Sequence, residues 1–276
     1  MAKLKTCPHC GEHAHTLECK PMLYDEIGRL KADAGGPGRG VTMRVLVACE
    51  FSGTVRDAFR RRGHDAMSCD LLPTEVPGPH YQGDVRDVLS DGWDLMIAHP
   101  PCTYLAVSGM HWTRRGLRDP QLTEDALAFV RLLLDAPVPR ICVENPVSVI
   151  SSRIRRPDQI IQPWQFGHAE SKTTCLWLKN LPRLKPTDVL NRAAWIKCPC
   201  CDEFLCTIHQ QHAFECPCPP IEEWKKDPYT YGGRWANQTA SGQNRLGPSP
   251  TRWAERSKTY QGIADAMADQ WGWEEA

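Results

Sequence analysis

Asp94-Leu95-Met96-Ile97-Ala98-His99-Pro100-Pro101-Cys102-Thr103-Tyr104 is the stretch on which the fold turns. Leu95 to Ala98 has the length and character of a strand buried on both faces, and it stops at two prolines that cannot continue a ladder. Cys102 is therefore carried on a stiff turn just past a strand end, where ligands bind in open α/β sheets. A cysteine so placed is a candidate nucleophile.

Working outward, the same grammar repeats on both sides. Upstream, Arg44 to Cys49 is a buried strand, followed by Glu50-Phe51-Ser52-Gly53. Thr54 to Arg62 then sets Val55, Ala58 and Phe59 on one helical face, and Gly63 closes it as a C-cap. His64 to Cys69 is a strand ending at Asp70, and Tyr81 to Val88 carries Gly83-Asp84. Downstream, Gln121 to Leu134 is an apolar-faced helix, Ile141 to Val143 a strand ending at Glu144-Asn145-Pro146, and Thr174 to Leu178 another strand. Gly262 to Trp271 makes a last helix with Ile263, Ala266, Met267 and Trp271 on one side. Strands alternating with helices predict an α/β fold with a doubly wound, mostly parallel, Rossmann-like sheet.

At 276 residues the chain has room for one medium domain and small additions. Lys plus Arg equals Asp plus Glu at 33 each, so net charge leaves no footprint of a polyanionic partner. Local clusters remain as candidate phosphate contacts: Arg60-Arg61-Arg62, Arg114-Arg115 and Arg153 to Arg156. No apolar run reaches membrane-spanning length and Met1 to Lys5 has no apolar signal core, so a soluble intracellular protein with no membrane partner is expected.

The 14 cysteines include short Cys-x-x-Cys steps interspersed with His, a pattern that favours metal over disulfides in an intracellular chain. Tetrahedral structural zinc wants two close pairs of ligands. Cys198 with Cys201 and Cys216 with Cys218 make the simplest set, with Cys206, His209 and His212 as substitutes or part of a second site. Cys7, Cys10 and Cys19, with His13 or His15, form another candidate. The expected organisation is an N-terminal zinc knuckle (1–33), a Gly-rich linker (34–42), a core (43–190), a Cys/His-rich insert (191–228), and an irregular segment with the final helix (229–276). Met43 as an internal initiator is the other reading of the first 42 residues.

Strand ends supply the candidate site. Phe51-Ser52-Gly53 precedes a helix whose N-terminal amides are open to a ligand. Asp70 stands where an acidic side chain grips the ribose hydroxyls of a nucleoside cofactor, and Asp84 is able to accept from an adenine amino group. Pro100-Pro101-Cys102 and Glu144-Asn145-Pro146 follow.

With these residues in order, residues 43 to 180 and the last helix resemble the cytosine-5 DNA methyltransferases, in the short form common among phage-encoded enzymes. Phe51 to Gly53 resembles that family's Phe-x-Gly loop, Pro101-Cys102 its nucleophile motif, and Glu144-Asn145 the start of its Glu-Asn-Val. Thr103 stands in place of glutamine and Pro146 in place of valine, and Lys172 is the basic residue left where the family has Gln-x-Arg-x-Arg. The resemblance implies S-adenosylmethionine bound by Phe51, Ser52, Gly53, Asp70, Asp84 and Pro100. It implies Cys102 as nucleophile, Glu144 as the base-recognising acid, Asn145 as the residue fixing the loop, and Lys172 in the arginine's role. The partner it implies is double-stranded DNA with a flipped cytosine, acted on by a monomer in the cytoplasm (a bacterial host's, if phage-encoded) for restriction-modification or its evasion.

Two other classes compete. Amino-directed methyltransferases for N4-cytosine or N6-adenine also use a Pro-Pro turn, but with Asp, Asn or Ser before it and an aromatic after it, where this chain has His99 and Cys102. A zinc-bearing nucleic-acid-binding protein without catalysis is the third. Cys102 discriminates, since only the cytosine-5 reading needs its sulfur.

Overall fold

A computed structural model describes residues 42–190, 235–239, 244–247 and 249–273, and the backbone of 195–197 and 204–206. The expected zinc ligands Cys7, Cys10, Cys19, Cys198, Cys201, Cys216, Cys218, His209 and His212 lie outside the described residues, as do His13 and His15. Only the backbone of Cys206 lies within them, at the end of a short antiparallel pair, Trp195–Lys197 with Phe204–Cys206.

Seven strands form one sheet. They are β1 (Arg44–Ala48), β2 (Asp65–Asp70), β3 (His80–Gln82), β4 (Leu95–Ala98), β5 (Arg140–Pro146), β6 (Gln159–Ile161) and β7 (Thr174–Lys179), in the order β3-β2-β1-β4-β5-β7-β6. The first five run parallel, and β7 is antiparallel to both β5 and β6. β1 and β4 read as unbroken apolar runs because helices cover both faces of the sheet.

Alternation along β1 divides the core into two layers. Val45 and Val47 face α1 (Thr54–Arg61) and the last helix, Gln261–Trp271, through Val55, Phe59, Ile263, Met267 and Trp271. Leu46 and Ala48 face α3 (Gln121–Leu134) through Leu127, Val130 and Leu133. The short helices α2 (Met110–Arg114), α4 (Ile150–Arg153) and α5 (Arg252–Ser257) lie in connections, which makes Gln261–Trp271 α6. No described helix is long and apolar enough to cross a membrane.

One local reading is corrected and two are filled in. β5 does not stop before Glu144: pairing with β7 carries it through Glu144, Asn145 and Pro146, opposite Leu176, Cys175 and Thr174. Pro146, which has no N–H to give, sits at the ladder's end where this costs least. Within the basic clusters, Arg61 and Arg62 pair with Asp265 and Asp269 of α6, Arg153 with Glu124 and Arg155 with Asp158. α1 carries a fourth buried residue, Arg56, beside its apolar stripe.

Candidate active site

The strand order reverses between β1 and β4: β2 and β3 lie to one side, β5 to the other. Carboxyl ends at such a point border a crevice open to ligands.

On the β1 side the backbone enters the left-handed region at Cys49 (φ 59) and again at Gly53 (φ 73). The first of these is a strained position for a residue with a side chain. The result is that Glu50 turns inward. Its carboxylate is 5% exposed and accepts from Val55 N at 2.7 Å and Arg56 N at 3.2 Å. The α1 N-terminus is therefore capped from within, and the expectation of amides open to a ligand is corrected: a buried carboxylate needs those donors itself. Burial pushes the Glu50 carboxyl above its ordinary value, opposed by His99 and the two amides. A Cβ on Gly53 would lie 2.5 Å from Arg56 Nη2 and 2.6 Å from Val76, so this glycine answers to the turn and to packing. Ser52 is buried, with its Oγ toward Glu50 Oε1 and Thr54 Oγ1. Phe51 is half-buried, its ring 5.8 Å from that of Trp253.

Asp70 closes β2. Its Oδ1 accepts from Leu72 N at 2.9 Å, and desolvation raises its carboxyl against that bond and His80. Asp84 caps a single turn, Val85–Asp87: the Arg86 amide and guanidinium both donate to it and hold it below the usual range.

On the β4 side, His99 N donates to Ala48 O at 2.9 Å, which keeps the strand in register up to the prolines. Pro100 is buried, and its carbonyl accepts from Asn145 Nδ2 at 2.8 Å. That bond ties the cysteine turn to β5. Cys102 O then accepts from Leu105 N and Ala106 N, so the turn is closed on itself and leaves Cys102 exposed. Glu144 Oε2 lies 3.3 Å from His99 Nδ1, their side chains only 13% and 8% exposed. Lys172 is positioned by Gln162 Oε1 at its backbone N and by Lys258 O at its Nζ.

Cys102, Glu144, Asn145 and Lys172 are thus brought to one place. Partial desolvation, then the Glu144 carboxylate, push the Cys102 thiol above its ordinary value, while Lys172 and Arg256 pull it back. Burial alone would raise Glu144, but the His99 hydrogen bond, the Lys172 ammonium and the Thr174 hydroxyl outweigh it and hold the carboxyl below the usual glutamate range. A thiol, a carboxyl held toward its ionised form and a cation thus lie within electrostatic reach of one another.

Sequence reasoning passed over Glu50 and Arg256, and it favours a loop hydrogen-bonder over a base for His99. An acidic residue directly between an apolar strand and a Phe-x-Gly turn is the signal that could have found Glu50; Arg256, nearly at the chain's end, gives none. No protein-family model matches this chain, and no curated protein matches it either.

Proposed function

We propose that the protein transfers a methyl group from S-adenosylmethionine to carbon 5 of cytosine in duplex DNA through a covalent adduct on Cys102. The observation that carries this reading is the pairing of Cys102 and Glu144 at neighbouring strands, tied together by Asn145 Nδ2 to Pro100 O, with Lys172 within electrostatic reach of both.

Carbon 5 of cytosine is a poor nucleophile. Addition of the Cys102 thiolate to carbon 6 turns the ring enamine-like and splits one hard step into easier ones. Glu144 hydrogen-bonds the ring nitrogen and exocyclic amine as charge builds there, and Lys172 holds Glu144 toward the base. Asn145 keeps the cysteine turn in register with β5. The base has to leave the stack to reach this crevice.

S-adenosylmethionine supplies, when bound, a methyl group activated by a sulfonium. Asp70 would hold its ribose hydroxyls, Asp84 its adenine amino group and Phe51 its ring, beside Ser52, Gly53 and Pro100. The residues suit this cofactor better than a dinucleotide. Glu50 occupies the α1 amides that would otherwise cradle a pyrophosphate, and its carboxylate disfavours phosphate and favours a cationic group. Zinc in the 198–218 cluster is part of the same proposal, as a structural ion.

The test is nucleoside mass spectrometry of unmethylated duplex DNA incubated with the protein and methyl-labelled S-adenosylmethionine. Label in 5-methylcytosine is expected. Label on an exocyclic nitrogen would move the activity to the amino-directed class, and bound cofactor without label in any base would favour a binding protein.

A further inference from the structure

Glu144 presents a chemical difficulty that its surroundings resolve. As charge builds on the cytosine ring, the ring nitrogen needs a proton, and a carboxylate held ionised has none to give. Its environment favours that ionised form. With its side chain 13% exposed, bulk water is a poor supplier.

The neighbour that can supply one is His99. Its Nδ1 lies 3.3 Å from Glu144 Oε2, and its backbone N is fixed to Ala48 O at 2.9 Å. Its Nε2 is buried and has no hydrogen-bond partner among the described residues. The charged and titratable groups around it are Glu144 from β5, Glu50 from the end of β1, Cys102 on its own turn, and Lys172 beyond Glu144. The imidazole is thus a titratable group whose only described side-chain partner is the candidate base-recognising acid.

We propose that His99 is a positioning residue that feeds the proton through Glu144 to the cytosine ring nitrogen, an inference that rests on the cytosine-5 reading. As the Cys102 sulfur bonds to carbon 6, the ring π electrons shift toward the nitrogen. Glu144, ionised at rest, takes the Nδ1 proton of the imidazolium and passes a proton to that nitrogen, leaving His99 neutral and Glu144 a carboxylate again. After the methyl group has reached carbon 5, the carbon-5 proton passes to water as the thiolate is expelled, and both relay transfers run back, so the relay itself consumes no proton.

His99→Asn keeps a neutral donor near the Nδ1 position but has no proton to relay. Single-turnover methylation of random-sequence duplex DNA, with labelled 5-methylcytosine as readout, is measured for both proteins from pH 6 to 10. The native rate is expected to pass through a maximum, because it needs a thiolate and an imidazolium together. The variant is expected to be slower by about 100-fold and to rise steadily with pH until the thiol is ionised. A bell-shaped profile retained by the variant, or a rate within twofold of native, overturns the relay while leaving the cytosine-5 reading intact. Absence of 5-methylcytosine from the native protein overturns both. Should the variant fail to bind S-adenosylhomocysteine as the native protein does, a proton inventory on the native enzyme decides: a curved dependence on deuterium fraction is expected for two protons in flight, and a linear one overturns the relay.

Discussion

At Cys102 the local field works against ionisation of the thiol. Partial desolvation and Glu144 raise the thiol, so at neutral pH the thiolate is a minority species. Alkylation of Cys102 by iodoacetamide, followed on its own peptide by mass spectrometry, should therefore accelerate from pH 7 to 10. Lys172→Ala removes a cation that lowers this thiol and should shift that curve to higher pH. Cys102→Ala should lose at least about 1,000-fold in methylation while still binding S-adenosylhomocysteine, and duplex DNA containing 5-fluorocytosine should trap a covalent adduct only with the native protein. Glu144 is shifted in the opposite sense. A carboxyl held below its unfolded value stabilises the fold above the ordinary glutamate range, and that contribution is lost as pH falls through the lowered value. The gap in thermal midpoint between the native protein and Glu144→Gln should be widest near neutrality and should close in acid; a gap independent of pH would show that Glu144 is not held as a favoured anion.

The first helix and the loop it anchors depend on one buried cation. Arg56 is fully buried on α1 and reaches Asp57 at 2.7 Å, Ser68 and Thr74 at 3.2 Å, and the carbonyls of Val76 and Pro77. Residues 71–79 are thereby wrapped onto the helix, and Glu75 on that loop reaches Lys258 at 3.0 Å. Arg56→Leu should cost about 3 kcal/mol in chemical denaturation, because it strips the partner from Asp57 and from several half-buried acceptors at once; a cost under about 1 kcal/mol would mean the loop holds itself. This also shows where the sequence was readable. The helices at Thr54–Arg61, Gln121–Leu134 and Gln261–Trp271 were legible because their apolar residues recur at helical spacing and point at a sheet. Arg56 lies off that stripe, and what covers it comes from a loop with no period at all. β6 is three residues long, too short for a pattern, and the extension of β5 through Glu144 depends on a partner strand about thirty residues further on. Among the site residues, Cys102, Glu144 and Asn145 announced themselves by motif and strand end. The His99–Glu144 contact did not, because only the parallel register of β4 on β5 brings the two side chains together.

At the scale of the whole molecule, the described core is closed on both faces of the sheet by helices. α1 and α6 seal one face of the sheet, with Arg62 gripping Asp265 and Asp269 across the helices, and α3 seals the other. Trp235 is packed onto this body, its ring stacked on that of Trp164 at 5.7 Å and 4°, while Ala236 N donates to Ala169 O at 2.7 Å and Asn237 bridges to Ser171. Every residue named for cofactor and base lies in the described core, and every zinc candidate but the backbone of Cys206 lies outside it. Under the proposed function the two sets have separate roles: the core would bind cofactor and carry the reaction, and the metal would stiffen a segment that holds DNA. The purified protein should contain about one zinc or more per chain by elemental analysis. Stripping it with a chelator should leave S-adenosylhomocysteine affinity and the alkylation rate of Cys102 nearly unchanged while weakening retention of duplex DNA at least tenfold, restored by added zinc. Loss of cofactor binding together with the metal would mean that the insert is part of the core's own stability, and the division of labour would then have to be drawn elsewhere.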